Sequence, residues 1–169
     1  VAIAKRTGAL CIANFEIADW LSAEGAPSTH GQHIGGGFDH PFGHLKLTIA
    51  FHGSGLPDGS NGGMPAGLLL TINDGRRLYF AADTALFSDM RLIGKDGLHL
   101  AVLPIGDNFT MGPADALEAT RLLNAAHVVP CHYDTWPLIA QDGAAWAQQV
   151  EADGNSKAHA LKPGESLEI

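Results

Sequence analysis

The feature that most constrains the fold is a succession of short apolar segments, each of strand length and bounded by turn residues. HLKLTIAFH at 44–52 alternates apolar and polar residues, which predicts a strand with one buried face. AGLLLTI at 66–72 and RRLYFAAD at 76–83 are joined by an Asn-Asp-Gly turn and are predicted to form a hairpin. LHLAVLPI at 98–105 and HVVPC at 127–131 predict two further buried strands.

Helical patterns separate the later strands. Helices are predicted at 15–25, 87–94, 113–125 and 144–152, and two small edge strands are predicted in the tail AHALKPGESLEI. Strands come first in hairpins and then alternate with helices. This order predicts a mixed α/β (α+β) fold built as a layered sandwich, which differs from a simple doubly wound sheet.

Composition narrows the class of protein further. The chain has 169 residues, of which 46% are hydrophobic, so it can supply the core of one domain. Its formal net charge of −8 argues against binding to nucleic acid or to an anionic membrane, because both need a positive field. The two cysteines, Cys11 and Cys131, are expected to be buried reduced thiols, which predicts a cytoplasmic protein.

Three polar side chains share an unusual position, because each ends a predicted strand. His52, Asp83 and His132 follow the strands at 44–51, 76–82 and 127–131. Two imidazoles and a carboxylate are good ligands for zinc and similar ions. Each of them alone is more commonly a capping or hydrogen-bonding loop residue, whereas the three together leave both a structural role and a metal site open.

A second group of residues is expected to line or support a pocket near these three side chains. The stretch IGDNFTMGPADA joins a strand to a helix, and its Phe109 and Met111 are predicted to form part of a pocket wall. The other candidates for the pocket or for support of the ligands are Asp107, Asn108, Thr110, Tyr133 and His33. The remaining histidines are expected to be structural or exposed, and no phosphate-binding loop or serine nucleophile elbow occurs.

Three segments together resemble a family of metal-dependent hydrolases with the metallo-β-lactamase fold, close to its lactonase and phosphodiesterase branch. They are AADTALFSDM, LPIGDNFTMGPADA and VVPCHYDTWPLIAQD. The resemblance implies a four-layer αββα sandwich with two metal ions at one edge of its sheets. It also implies that His52 completes the ligands of the first ion, that Asp83 bridges both ions, and that His132 binds the second.

The implied activity is hydrolysis of a small ester, lactone or phosphodiester by a metal-held hydroxide. Zinc is the expected metal, with manganese, iron and nickel as alternatives. The substrate is expected to be a small molecule, and the family branch implies self-association into a homo-oligomer.

One element of the resembled family has no match in the chain. The H-x-H-x-D-H motif, which supplies most of the metal ligands, is absent, and THGQHIGG contains His30 and His33 without a following Asp-His pair. The helix in VAIAKRTG also lacks an N-cap residue. We therefore expect residues 1–169 to be one N-terminally incomplete domain that binds metal weakly and is inactive alone. The alternative is a non-catalytic binding or assembly domain of the same fold.

Overall fold

The computed structural model describes residues 1–168 and begins with a small helix-and-strand unit. Asn14 caps the second helix, because its side-chain oxygen accepts a hydrogen bond from the Ile17 amide at 3.0 Å. The two strands of this unit pair in parallel and form a separate two-stranded sheet. The elements are α1 (Ala2–Thr7), β1 (Cys11–Asn14), α2 (Phe15–Ala23) and β2 (Thr29–Gln32).

A seven-stranded sheet forms the rest of the framework, with its strands in sequence order. They are β3 (Gly37–His40), β4 (Gly43–Ile49), β5 (Ala66–Ile72), β6 (Arg77–Phe80), β7 (Leu98–Pro104), β8 (Ala125–Cys131) and β9 (Lys157–Ala158). Neighbours from β3 to β6 are antiparallel, and those from β6 to β9 are parallel. Strands β4, β6, β7 and β8 therefore run in one direction and end at the same edge.

The main core lies where the later helices pack against this sheet. Tyr79, Leu103, Leu123 and Trp146 are almost fully buried there. The Trp146 indole N–H donates to the Pro113 carbonyl at 3.0 Å and so joins the last helix to the one before it. These helices are α3 (Met90–Ile93), α4 (Pro113–Leu123) and α5 (Gly143–Asp153), with a 3₁₀ turn at Pro137–Ile139.

Several predicted boundaries are wrong. Strand β4 ends at Ile49, because its partner β5 begins opposite it at Ala66 and the next residues have no strand to pair with. Strand β6 ends at Phe80, and the left-handed backbone of Ala82 (φ 58°) then turns the chain out of the sheet. Hence His52 and Asp83 each lie three residues beyond a strand, whereas His132 directly follows β8.

Other expectations are confirmed or corrected by the described residues. The mixed α/β class and the Asn-Asp-Gly hairpin are confirmed. Within residues 1–168 the tail forms one strand instead of two, and the helix predicted at 87–94 is restricted to α3. Cys11 and Cys131 are both free, although only partly buried. Among the described residues, no helix combines the length and apolar character needed to cross a bilayer.

Candidate metal centre

The loops that follow β4, β6 and β7 are tied together at the shared edge of the sheet. Thr84, which is fully buried, is the central residue of this connection. Its hydroxyl accepts a hydrogen bond from the Phe51 amide at 2.9 Å, and its carbonyl accepts one from the Met111 amide at 2.9 Å. The Ala85 amide donates to the Phe51 carbonyl at 3.3 Å. Asp83, next to Thr84, is therefore held on an anchored loop.

Asp83 and His132 approach each other across this edge. His132 Nε2 lies 3.7 Å from Asp83 Oδ2, and the two side chains are 25% and 45% exposed. This separation is too long for a direct hydrogen bond. Two ligands each about 2.1 Å from a tetrahedral ion lie about 3.4 Å apart, so the pair fits two positions around one shared ion.

The orientation of His132 is determined by close packing beneath it. Its backbone is left-handed, with φ 52°. A methyl group at Gly106 would collide with the His132 carbonyl oxygen and lie 3.2 Å from Nδ1. Nδ1 is buried without a hydrogen-bond partner in the described part of the chain. The imidazole can therefore offer only Nε2 to a metal ion beside Asp83.

Cys131, which precedes His132, is a poor candidate for a metal ligand. Burial of the thiol, together with the negative charge of Asp83, raises the pKa of Cys131 to about 12. A thiol must lose its proton to bind a metal ion well. Oxygen and nitrogen donors therefore define the chemistry of this edge.

The structure does not gather His52 with the other two predicted ligands. Over residues 1–168, no group of three or more His, Cys, Asp or Glu side chains is arranged to hold a metal ion. His52 is exposed, and its Nδ1 lies 2.9 Å from the Gly53 carbonyl oxygen. Since a carbonyl oxygen can only accept, Nδ1 is the donor in this contact, and Nε2 is the ring nitrogen left outside it. Strand β5 separates the end of β4 from that of β6.

The other predicted pocket residues have different positions. The Asp107 carboxylate accepts the Asn108 amide at 2.8 Å, and the Thr110 hydroxyl donates to the Met111 carbonyl at 3.2 Å. These three predicted residues thus shape the turn after β7. Met111 is buried in the core and does not form a pocket wall, so that expectation is wrong.

Tyr133 and His33 are the last two predicted pocket residues, and they pack in different parts of the molecule. Tyr133 packs against Gly143 at the start of α5, and burial raises the pKa of its phenol. It supports the loop after His132. His33 packs against Phe15 at the start of α2, with ring centroids 6.2 Å apart, and belongs to the small helix-and-strand unit.

Backbone strain is concentrated in the loops of this edge. Six non-glycine residues within 1–168 have a left-handed backbone, and one of them, Asn124, ends α4. The other five follow β6, β7 and β8, namely Ala82, Asp107, Asn108, His132 and Asp134. Such conformations are costly and cluster at functional sites.

Two cavities open at the same edge. One of about 440 Å³ is lined by Phe51, His52 and Met64, and another of about 650 Å³ is lined by His132 and Tyr133. Residues 160–165 also line the larger cavity.

The sequence reasoning missed Trp136, whose ring lies edge-on to that of His132 with centroids 5.9 Å apart. Trp136 is 44% exposed. Its position in the loop directly after the His132 segment, before a proline, was the available signal.

Comparisons with known proteins identify the relatives of this chain. Residues 4–133 match the family described as the β-lactamase superfamily domain. The whole chain aligns with a UPF0173 metal-dependent hydrolase of Thermus thermophilus at 51% identity, and the alignment covers 74% of that protein. It is 48% identical to a metal-dependent hydrolase of the same group from Pelotomaculum thermopropionicum, 75% of which is covered.

A solved structure gives the same result. A metallo hydrolase of the archaeon Ignicoccus hospitalis superimposes on 98% of this chain with a TM-score of 0.88 and 37% sequence identity. The match covers 71% of that chain. This likeness confirms the predicted metallo-β-lactamase-type fold.

Proposed function

Because the chain belongs to the β-lactamase superfamily, within its UPF0173 metal-dependent hydrolases, we propose that it hydrolyses a small ester, lactone or phosphodiester with a divalent metal. Asp83 and His132 hold the metal in this proposal, with His52 as a further ligand. The observation that carries it is the 3.7 Å approach of Asp83 Oδ2 to His132 Nε2 on loops from two different strands. Imidazole and carboxylate favour zinc, and they also suit manganese, iron or nickel.

The role proposed for His52 is supported by the hydrogen bond of its ring to Gly53. A metal-binding histidine commonly donates its other ring N–H to a carbonyl group, as His52 does to Gly53. Gly53 and Gly55 follow His52 in this loop and give its backbone more conformational freedom than other residues would. The hydrogen bond between Phe51 and Thr84 keeps the start of this loop beside Asp83.

In this proposal, residues of the chain would hold the metal ion and provide space for the substrate. A bound divalent ion supplies Lewis acidity, which activates water and stabilises negative charge on the substrate oxygen. Asp83 contributes an anionic oxygen from the loop anchored by Thr84, and His132 contributes Nε2 from a ring whose orientation is set by Gly106. The cavity of about 650 Å³ beside His132 is large enough for a small-molecule substrate.

One observation favours a second candidate function. The described residues contain no group of three metal ligands, and a stable zinc site in a protein usually has three or four. A non-catalytic domain that uses the same fold for binding or assembly is therefore the alternative. Cytoplasmic localisation and self-association stay predictions from the sequence.

The test is a zinc titration followed by elemental analysis, with assays on phenyl acetate, γ-butyrolactone and bis(4-nitrophenyl) phosphate. It uses a longer chain with an upstream H-x-H-x-D-H segment, since residues 1–169 alone are expected to be inactive. Asp83→Asn and His132→Ala are expected to weaken zinc binding and to abolish hydrolysis by the metal-loaded protein. The chain also offers a matched control pair, because His44 and Asp39 lie 2.6 Å apart at the other end of β4.

Asp39→Asn and His44→Ala should leave both readouts unchanged. If the substitutions at Asp39 and His44 weakened zinc binding as much as those at Asp83 and His132, the proposed site would be contradicted. Absence of zinc binding and of hydrolysis under metal-replete conditions would support the non-catalytic alternative.

A further inference from the structure

Two exposed aromatic rings extend from the candidate metal centre. The rings of Phe109 and Trp136 have centroids 6.3 Å apart, and Trp136 is next to His132. Phe109 is 49% exposed and Trp136 is 44% exposed. A continuous series of side chains thus leads from Asp83 through His132 to an aromatic surface.

Both rings are carried by ordered loops. The Met111 amide bonds to Thr84, and the Phe109 and Thr110 amides both donate to the Asp107 carbonyl, so the Phe109 turn is fixed to the loop of Asp83. Beyond His132, the Asp134 amide donates to the carbonyl of Ile139 at 2.8 Å.

The Ile139 amide in turn donates to the Trp136 carbonyl at 3.1 Å, and the Ile139 side chain is fully buried. These bonds close the Trp136 loop on itself and anchor it in the core. Two large apolar rings held in solvent in this way are prepared to receive a ligand, because little conformational freedom is lost on binding.

The charges of this edge restrict the ligand. Asp83, Asp107 and Asp134 all lie in its loops, and the protein carries a net charge of −8. Among the described residues that line the cavity beside His132, Lys162 is the only lysine or arginine, and Glu165 lies in the same wall. The charge of Asp83 is opposed by the ion that it would hold, whereas Asp107, Asp134 and Glu165 are not proposed ligands, and their negative field disfavours an anionic substrate relative to an uncharged one.

We propose that Phe109 and Trp136 bind the aromatic or similarly flat apolar group of an uncharged carboxylic ester or lactone whose carbonyl group lies beside Asp83 and His132. This inference rests on the proposed hydrolase function and narrows its substrate class. In the reaction, the oxygen of water bonds to the carbonyl carbon, the C–O bond to the alcohol breaks, and the alcohol oxygen takes a proton from the water. The products are a carboxylic acid and an alcohol.

The test compares phenyl acetate with methyl acetate, using the zinc-loaded longer chain with an upstream H-x-H-x-D-H segment, in which hydrolysis is expected. Trp136→Ala and Phe109→Ala should each raise KM for phenyl acetate about three- to tenfold, the range expected for loss of one aromatic contact. KM for methyl acetate should hardly change. Trp136→Phe should largely restore the phenyl acetate value, which separates lost ring contact from a disturbed loop.

The control variant is Phe38→Ala, which removes a ring of matching exposure (50%) from the edge strand β3. It should affect neither substrate. Equal changes for both esters in the Trp136 and Phe109 variants, or no change, would overturn the inference. So would faster hydrolysis of bis(4-nitrophenyl) phosphate, an aromatic anion, than of phenyl acetate.

A binding measurement separates failure of this inference from failure of the proposed function. Acetanilide is a stable amide analogue of phenyl acetate, and saturation-transfer NMR detects its contact with the protein without any turnover. One outcome is that saturation of its ring protons is observed and is lost in Trp136→Ala, while no ester is hydrolysed. That outcome would support the aromatic site and reject the hydrolase function. Hydrolysis together with undiminished saturation in the variant would reject the aromatic site alone.

Discussion

Among individual residues, the side chain that most defines the candidate centre is His132. Its left-handed backbone is unusual for a residue other than glycine, although histidine tolerates it better than most side chains do. Gly106, just beyond the end of the neighbouring strand β7, leaves room for the His132 main chain and for the buried Nδ1. The direction of Nε2 toward Asp83 therefore depends on a residue that has no side chain of its own.

Replacing Gly106 by alanine is expected to weaken zinc binding about tenfold or more, because residues that orient a metal ligand have effects of this size. The added methyl group would collide with the His132 carbonyl and force the imidazole to move. The same overpacking should cost about 1–3 kcal/mol in the free energy of unfolding. Zinc titration and urea denaturation measure the two effects.

Gly94→Ala is the matched control, since its methyl group would collide with the Leu123 carbonyl between α3 and α4. It should lower stability by a similar amount without changing zinc affinity. If both variants weakened zinc binding equally, the effect would be general destabilisation and the proposed role of Gly106 would be wrong.

Among the strands and helices, the shortest strand is held to the sheet by side-chain contacts as well as by backbone pairing. Strand β9 contains two residues, and it is supported on either side by side chains. The Ser156 hydroxyl donates to the Ala125 carbonyl at 2.7 Å, and His127 Nδ1 lies 2.9 Å from His159 Nε2. The chain after β9 then forms the wall of the cavity beside His132, so these contacts also shape the candidate site.

The two histidines make this attachment sensitive to acid. Burial lowers the pKa of His127, and the nearby His159, His99 and Lys157 lower it further. The unfolded chain therefore takes up this proton at a higher pH than the folded chain does. The contribution to stability is complete above about pH 6.5 and is lost as the pH falls below that value toward the lower pKa of the folded state.

Amide hydrogen exchange at His159 and Leu161 measures this effect directly. Protection of both amides should decrease between pH 8 and pH 5, after correction for the intrinsic exchange rate, because protonated His127 repels its neighbours. His127→Gln has no titrating ring and should show a flat profile. A wild-type profile as flat as that of the glutamine variant would show that the His127–His159 contact does not respond to pH.

At the scale of the whole molecule, the seven-stranded sheet unites elements from distant parts of the chain at one edge. Loops after β4, β6, β7 and β8 meet there because these strands run in the same direction. The edge provides one Asp-His pair to which the proposal assigns the metal, and the chain matches about three quarters of the length of the metal-dependent hydrolases that it resembles. The donor count therefore limits how tightly residues 1–169 can hold metal.

Residues 1–169 alone are expected to retain well under one zinc ion per chain after dialysis, because two protein ligands leave most of the coordination sphere to water. A longer chain with an upstream H-x-H-x-D-H segment should retain about two ions, as a two-metal hydrolase does. Elemental analysis of both proteins makes the comparison. A full two-ion centre in residues 1–169 would show that ligands have been misassigned, and His30 and His33 would be the first to reconsider.

Local patterns in the sequence were sufficient for much of the architecture. The alternation in HLKLTIAFH and the Asn-Asp-Gly turn predicted β4 and the hairpin of β5 and β6, because burial period and turn geometry depend on neighbouring residues. The start of α4 at Pro113 was predicted for the same reason. The resemblance carried by the segments around Asp83 and His132 identified the fold that the comparisons confirm.

Only the tertiary structure decided which of the candidate residues meet. Asp83 and His132 are brought together by the pairing of β6, β7 and β8, and such long-range pairing leaves no local period in the sequence. His52 stays outside because β4 loses its partner at Ile49, where β5 begins. Sequence alone identifies the chemical groups of this protein, whereas strand pairing and the backbone angles of its loops determine which of those groups lie close to one another.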